Sequence, residues 1–461
     1  MVDLIVIGGG PGGYIAAIRA AQLKMSVTLV EKEALGGVCL NRGCIPTKTY
    51  YQNAAILRLL RQSEAFNITT GEVIFDMAGA LARKQKIVST LTGGISALLA
   101  ANGVQVIKGV AYIPEPGKVV VNGETLTARR IILATGSISA RPPIVGANLP
   151  KVVTSDELLN LDYVPKRMVV VGGGVIGLEF ACILAAFGST VTVIELAPEI
   201  MGAADREIAK RMRIALKKQG IVVHTGTAVT EIAQHGDNLQ VKASINSVGL
   251  NAIETDLVLL ATGRKANTEG LNLGSLGVAV DRGGFIIVNE QLETSVPGIY
   301  AVGDVIGGRM LAHVASEEGR VTVEKMAGYK GTVPYHAVPS VVFTFPEMAT
   351  VGYSEEEAKA DGIEYRVGKF QFAANSKAVA MGDTEGVVKV LADMGGTIIG
   401  VHILGPHAAD LIQVASVIVK NRLRTDEVST AIHPHPTLGE SLLEAILDVD
   451  KRALHLAPRK E

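Results

Sequence analysis

Tryptophan is absent from the 461 residues, and aromatic side chains make up only 4% of them. A surface that stacks single-stranded bases needs exposed rings, so that class of function is disfavoured at once. Charge of one sign is missing too. Lys and Arg number 44 against 45 Asp and Glu, which leaves no field to draw nucleic acid or an anionic membrane. Three cysteines are too few for a secreted disulfide scaffold. No apolar run reaches the roughly 20 residues of a membrane span, because the longest stretch, Met168 to Ile194, is broken by Glu179 and a glycine cluster. The N-terminus shows neither a positive segment nor a cleavage site, and the expected compartment is the cytoplasm. What is plentiful is apolar residues, at 48%, and glycine, at 51. At about 150 residues per domain, the chain holds roughly three domains' worth of core.

The glycines are sited, and one arrangement occurs twice. Leu4 to Ile7 is a short apolar strand leading into Gly8-x-Gly10-x-x-Gly13, then a helical stretch from Tyr14 to Leu23 and a strand ending at Glu31. Met168 to Val171 leads likewise into Gly172-x-Gly174-x-x-Gly177, a helical stretch from Leu178 to Phe187, and a strand ending at Glu195. Strand, tight turn, helix, strand and acid form the context in which such glycines bind a dinucleotide. The pyrophosphate sits on the helix N-terminus, and the acid takes a ribose hydroxyl. Glu195, with no basic cluster nearby for a 2′-phosphate, favours NAD over NADP. A second element recurs as Ile131 to Gly136 and Leu257 to Gly263, each a buried strand running into a glycine. The expected architecture is therefore α/β, with two nested Rossmann-like units for dinucleotides, linked near Arg141-Pro142-Pro143. Beyond Gly263, Gly298 to Asp304 reads as a strand delivering an acid, and Leu311 to Ala327 as a helix. From about Thr332, strands at 340–345, 387–391 and 397–404 mix with helical stretches from Ala408 and Thr437. These read as an α+β domain.

Between the two copies of the turn lie Cys39 and Cys44. Four residues separate them, no second pair exists, and a structural zinc site is not supported. In a chain expected in the cytoplasm, a close pair reads as redox-active. Cys182, within the second helix, reads as a small apolar side chain. Near the C-terminus, His433-Pro434-His435-Pro436 holds two histidines in extended backbone. Thr437-x-x-Glu440 has the form of a capping box.

The segment from Gly36 to Lys48 resembles the redox-disulfide signature of the pyridine nucleotide–disulfide oxidoreductases, and the order of motifs is similar from Ile5 to Glu440. That resemblance implies FAD, tightly bound, in the first unit and NAD in the second. For FAD it implicates Gly8, Gly10, Gly13, Glu31, Lys48, Ala111, Gly136, Asp304 and Ala312. For NAD it implicates Gly172, Gly174, Gly177, Glu179, Glu195, Val229, Gly263 and Arg264. It further implies that Cys39 exchanges with substrate and Cys44 lies beside the flavin. Lys48 lies near the flavin and pairs with Glu179, and His435, oriented by Glu440, is the acid–base for the disulfide of the other subunit of a homodimer. The implied domains are 1–145 for FAD, 146–265 for NAD, 266–331 as a central domain completing the FAD site, and 332–461 as the dimerisation domain.

Within the family, Gly177, Val175 and Glu195 disfavour the NADPH-dependent glutathione and trypanothione reductases. The absence of cysteine after Cys182 disfavours the mercuric reductases. Phe345-Pro346-Glu347, Val351-Gly352, Phe372 to Ser376 and the His-Pro-His-Pro-Thr segment resemble the branch that oxidises dihydrolipoamide. Val314, in place of a common Lys, and Gly439, in place of a common Ser, depart from it. That branch implies lipoyl domains and core subunits of 2-oxo acid dehydrogenase complexes, or the glycine cleavage H protein, as partners. Other readings are another disulfide reductase, an NAD(P)H oxidase or quinone reductase of the same fold, and a flavin redox sensor.

Overall fold

The computed structural model describes residues 1–245, 248–249 and 251–457, so the last four residues of the expected dimerisation domain lie outside the described residues. Three sheets organise the chain. In the first, Gln105–Lys108, Val27–Glu31, Val2–Ile7, Glu124–Leu133 and Ile299–Ala301 run parallel in that order, and Lys118–Val121 and Ala111–Glu115 continue from Glu124–Leu133 as an antiparallel meander. Parallel strands are covered on both faces and carry near-continuous apolar runs. Leu4, Ile5 and Val6 are accordingly fully buried.

The second sheet repeats the plan. Val222–His224, Thr190–Ile194, Arg167–Val171, Leu257–Leu260 and Val152–Val153 are all parallel. An antiparallel ribbon of Thr227–His235 and Asn238–Ile245 lies beside it. Arg264–Ala266 pairs with Ser137–Ser139 and joins the two units. The third sheet is antiparallel, in the order Ser340–Val342, Glu347–Gly352, Ile398–Gly405, Val387–Asp393, Tyr365–Gln371. The helices Ala408–Lys420 and Glu440–Val449 pack on it. One apolar core spans all three parts, for Val342, Met348 and Leu404 pack in the same cluster as Tyr50, Leu178 and Phe180.

The glycine turns explain why strand passes into helix twice in the same way. Gly8 and Gly172 have φ of +104° and +112°, and a Cβ on either would lie 2.3 or 2.4 Å from the carbonyl oxygen of Ala134 or Ala261. Only glycine permits that backbone and that approach. Both helices begin three residues earlier than the apolar pattern suggests, at Pro11 and Val175. Pro11 is preorganised for a first helical position.

Two further expectations are corrected. The strand expected over 340–345 ends at Val342, because the Phe343 N–H turns away to donate to Glu179. The helix expected from Thr437 starts at Glu440, with Gly439 as its cap. Only half the capping box forms. Glu440 accepts from the Thr437 N–H at 2.7 Å, but the Thr437 hydroxyl donates to the Pro434 carbonyl.

Candidate active site

Gly43 separates two helices, and the cysteines stand on either side of it. Cys39 lies within the short helix Gly37–Arg42, and Cys44 is the first residue of the long helix Cys44–Arg61. A helix N-terminus favours a thiolate. Both cysteines are half-buried and carry free sulfurs, linked by a hydrogen bond from Cys39 to Cys44. That bond is the largest influence holding the Cys44 thiol down at about 7, against the opposing effect of burial and with the help of the Lys48 charge. The same bond, with burial, raises Cys39. Of the two sulfurs, Cys44 is therefore the more acidic.

Lys48 follows Cys44 by one helical turn. Its Nζ lies 2.9 Å from both carboxylate oxygens of Glu179 and 4.5 Å from the centre of the Phe343 ring. Glu179 is 3% exposed and also accepts the Phe343 N–H at 3.0 Å. A buried carboxylate requires such partners. The pair bridges the first unit and the helix that follows the second glycine turn.

Cys39, Cys44, Lys48 and Glu179 all line one cavity of about 1410 Å³, larger than the roughly 300–1,000 Å³ of an ordinary small-ligand site. From the first unit Gly8, Gly10, Glu31, Ala111, Gly136, Asp304 and Ala312 reach its wall, and from the second Gly174, Gly263 and Arg264. The wall fits an extended dinucleotide such as FAD. A Cβ on Gly10 would meet only Gly37, at 3.8 Å, so the backbone there faces the cavity openly. The Thr135 hydroxyl is buried beside it with no protein partner. Asp304 accepts the Ser137 hydroxyl at 2.5 Å and lies 3.8 Å from Arg264. Arg264 thus reaches across to the first unit.

Other candidates have different surroundings. Gly13, Gly172, Gly177, Glu195 and Val229 are not among the residues lining the cavity. A Cβ on Gly13 or Gly177 would strike the carbonyl of Gly8 or Gly172, so these two glycines let helix and turn pack closely. Glu195 accepts from the N–H groups of Gly173 and Ala197 at 2.5 and 2.6 Å, just as Glu31 accepts from Gly9 and Glu33 at 2.6 and 2.7 Å. Val229 packs against the core beside Ile232. His435 Nδ1 lies 2.8 Å from Glu440 Oε1, with its side chain 71% exposed, and both stand apart from the cavity wall.

Two contributors have no sequence signature. Glu318, 3% exposed, accepts the Gly303 N–H and the Tyr335 hydroxyl, each at 2.7 Å, and so fixes the turn that presents Asp304. Phe343 backs Lys48. Each is recognised only by what it touches.

Comparison with known proteins agrees with this geometry. Residues 2–319 match the family model described as pyridine nucleotide-disulphide oxidoreductase, and residues 338–446 match its dimerisation domain. The chain is 43% identical to the dihydrolipoyl dehydrogenase of Thermus scotoductus, over 99% of each chain. It is 42% identical to the mitochondrial dihydrolipoyl dehydrogenase of Pisum sativum, over 98% of this chain and 92% of that one. The leghemoglobin reductase of Vigna unguiculata is also 42% identical, over 98% of this chain and 89% of that one. Among solved structures, LpdA from Mycobacterium tuberculosis superposes with a TM-score of 0.89 at 28% identity, covering 96% of this chain and 99% of that one. With the family models spanning most of the chain and such relatives matching end to end, the chain belongs to the pyridine nucleotide-disulphide oxidoreductases, whose cofactors are FAD and NAD.

Proposed function

We propose that the chain is a dihydrolipoyl dehydrogenase, oxidising the dihydrolipoamide arm of a lipoyl domain and passing two electrons to NAD+. The observation that carries the reading is the placement of Cys39 and Cys44 on either side of Gly43, lining one cavity with Lys48 and Glu179. A close cysteine pair in such a place can exchange two electrons with a dithiol by forming and breaking a disulfide.

The chemistry starts with the pair oxidised. Only a thiolate attacks a disulfide, so His435 takes a proton from one substrate thiol, with its Nδ1 held by Glu440. The new thiolate attacks Cys39 Sγ, and the Cys39–Cys44 bond breaks with its electron pair left on Cys44. The second substrate thiol gives up its proton as it attacks the substrate sulfur of the mixed disulfide, and that proton is relayed through the His435 imidazolium to the departing Cys39, so that the attacking sulfur is a thiolate. Oxidised lipoamide leaves. Cys39 is now a thiol, Cys44 a thiolate and His435 an imidazolium. Lys48 steadies the Cys44 charge. Gly10, Glu31, Gly136 and Asp304 would hold FAD, whose chemistry when bound would be to accept the electron pair and deliver it as hydride to NAD+ on the second unit. Glu195, by its charge, would repel the 2′-phosphate of NADP+.

The base comes from a second copy of the chain. His435 is exposed and apart from the cavity that holds Cys39. Ile432, 99% exposed, adjoins it, and Val414 and Val417 leave apolar surface on the helix Ala408–Lys420. Exposed apolar area of this kind marks an interface. The working unit is then a homodimer with shared sites. Its partners are lipoyl domains and core subunits of 2-oxo acid dehydrogenase complexes, or the glycine cleavage H protein. Its compartment is the cytoplasm. Among the described residues no helix is long and apolar enough to cross a membrane.

The test compares NAD+ reduction by dihydrolipoamide with NADPH oxidation by glutathione disulfide. Turnover with the first pair and none with the second is expected, and the reverse would refute the assignment.

A further inference from the structure

Two of the carboxylates on the helix Glu440–Val449, one turn apart, each face a histidine. His435 Nδ1 lies 2.8 Å from Glu440 Oε1, and His455 Nδ1 lies 2.8 Å from Glu444 Oε1. His455 reaches this position because the chain folds back after the helix. The Arg452 N–H donates to the Leu447 carbonyl at 2.9 Å, and the N–H groups of Leu454 and His455 donate to Glu444 Oε2 at 3.0 and 3.1 Å. The Glu444 side chain is only 6% exposed and the His455 ring 71% exposed. Three donors therefore fix the carboxylate, and the carboxylate fixes the ring.

Residues four apart on a helix share a face, so the two pairs stand on the same side of the helix. The two pairs also feel each other. Burial opposes ionisation of Glu440, but the Thr437 N–H, His435 and the charge of His455 together hold its carboxyl below the ordinary value. The bond to Glu444, with the charges of Glu444 and Glu440, raises His455 above the ordinary imidazole value. Other charges on the packed elements are engaged elsewhere. Arg366 pairs with Asp450 and Lys369 with Glu207, the Lys369 N–H donates to Asp448, and Lys451 and Arg452 are exposed on the turn.

We propose that His455 is a positioning residue for the His435–Glu440 base, placing a positive charge behind Glu440 that limits the grip of this carboxylate on the His435 proton. The inference rests on the reading of His435 as the group that takes the proton of the dithiol. A carboxylate facing an imidazole favours its protonated form, and a cation near that carboxylate offsets part of the effect. A base that stays protonated at the working pH takes no proton from substrate. The bond to Glu444 raises His455, so the offsetting cation persists as the pH rises through the acid limb of activity, where an ordinary imidazole would already be losing its proton.

The experiment follows kcat/KM for dihydrolipoamide against pH, on the FAD-loaded dimer. His455→Gln removes the cation and is expected to move the acid limb up by about 0.3–0.5 pH unit, roughly a two- to threefold loss along that limb. His455→Lys replaces the cation and is expected to return the limb to its original position. A loss by one factor at every pH, or a limb that does not move in His455→Gln, would overturn the proposal, as would failure of His455→Lys to restore it. His435→Gln separates the two readings. If it keeps full turnover, the assignment of the base fails. If it abolishes turnover while His455→Gln leaves the limb in place, only the role of His455 fails.

Discussion

Lys48→Gln tests the electrostatics of the cysteine pair most directly. Lys48 stands one helical turn from Cys44, at a separation of about 6 Å between side-chain origins. A unit charge at that distance, in an effective dielectric of about 20–40, contributes about 1.4–2.8 kcal/mol, or about one to two pK units. Removing it also uncovers Glu179, whose charge raises Cys44 and which Lys48 now offsets through two contacts of 2.9 Å. The two effects share a sign, so the Cys44 midpoint is expected to climb from about 7 by at least about one unit. At pH 7 about half of Cys44 is thiolate in the parent and about a tenth would remain in the variant, a fall of about fivefold. The assay is the rate of iodoacetamide labelling of the reduced protein against pH, resolved by peptide mass. Cys182 serves as the internal control, since burial pushes its thiol up to about 12 and it stays unlabelled. Lys48→Arg keeps the charge and the parent midpoint. An unchanged midpoint in Lys48→Gln would mean that the hydrogen bond from Cys39 alone makes Cys44 acidic.

Cys39→Ser is expected to abolish dithiol turnover while Cys44 keeps a midpoint below that of an ordinary thiol, and Cys44→Ser to abolish both; full activity in either variant, measured with dihydrolipoamide, contradicts the exchange mechanism. Mixing Cys39→Ser subunits with His435→Gln subunits should recover part of the activity, because one mixed dimer holds one intact site; no recovery despite verified exchange rules out a shared site. Glu195→Ala should narrow the preference for NAD+ over NADP+, read as the ratio of kcat/KM values, and an unchanged ratio removes Glu195 from coenzyme selection. Lys389, 1% exposed, lies 2.7 Å from Asp205 and 2.6 Å from Glu355, and Lys389→Met removes the cation that both carboxylates share, at a cost of about 3 kcal/mol; a loss below about 1 kcal/mol in denaturant unfolding of the cofactor-loaded protein would show that the Glu207 and Ile208 N–H groups and the Tyr365 hydroxyl suffice.

What the sequence made legible was what local chemistry controls. The two glycine turns are readable because Gly8 and Gly172 adopt backbone that other residues avoid and strand, helix and acid follow at fixed spacing. Cys39 and Cys44 are readable because so few cysteines exist. Contacts formed over long separations are another matter. Nothing near Phe343 announces that it covers Lys48, and Glu318 sits in a helix whose pattern says only that one face is buried. The start of the last helix is legible only in part. The Thr437-x-x-Glu440 spacing satisfies a capping motif, yet the Thr437 hydroxyl is turned to donate to the Pro434 carbonyl and does not accept from the Glu440 N–H.

The parallel alignment of Ile299–Ala301 with Ile131–Leu133 has a consequence for how the chain is made. The strand that finishes the first sheet emerges from the ribosome 166 residues after Leu133, which at 5–20 residues per second is a wait of about 8–33 seconds. During that interval the apolar edge Ile131-Ile132-Leu133 has no neighbour on one side, and an unpaired edge invites pairing with other chains. The intervening residues build the second sheet, whose parallel strands all lie between Val152 and Leu260. That unit can close while its host still stands open. A nascent chain arrested shortly before Ile299 should therefore yield a protease-resistant core from the second unit and a cleavable first one. Equal resistance of both would show that the late strand is dispensable for closing the first sheet.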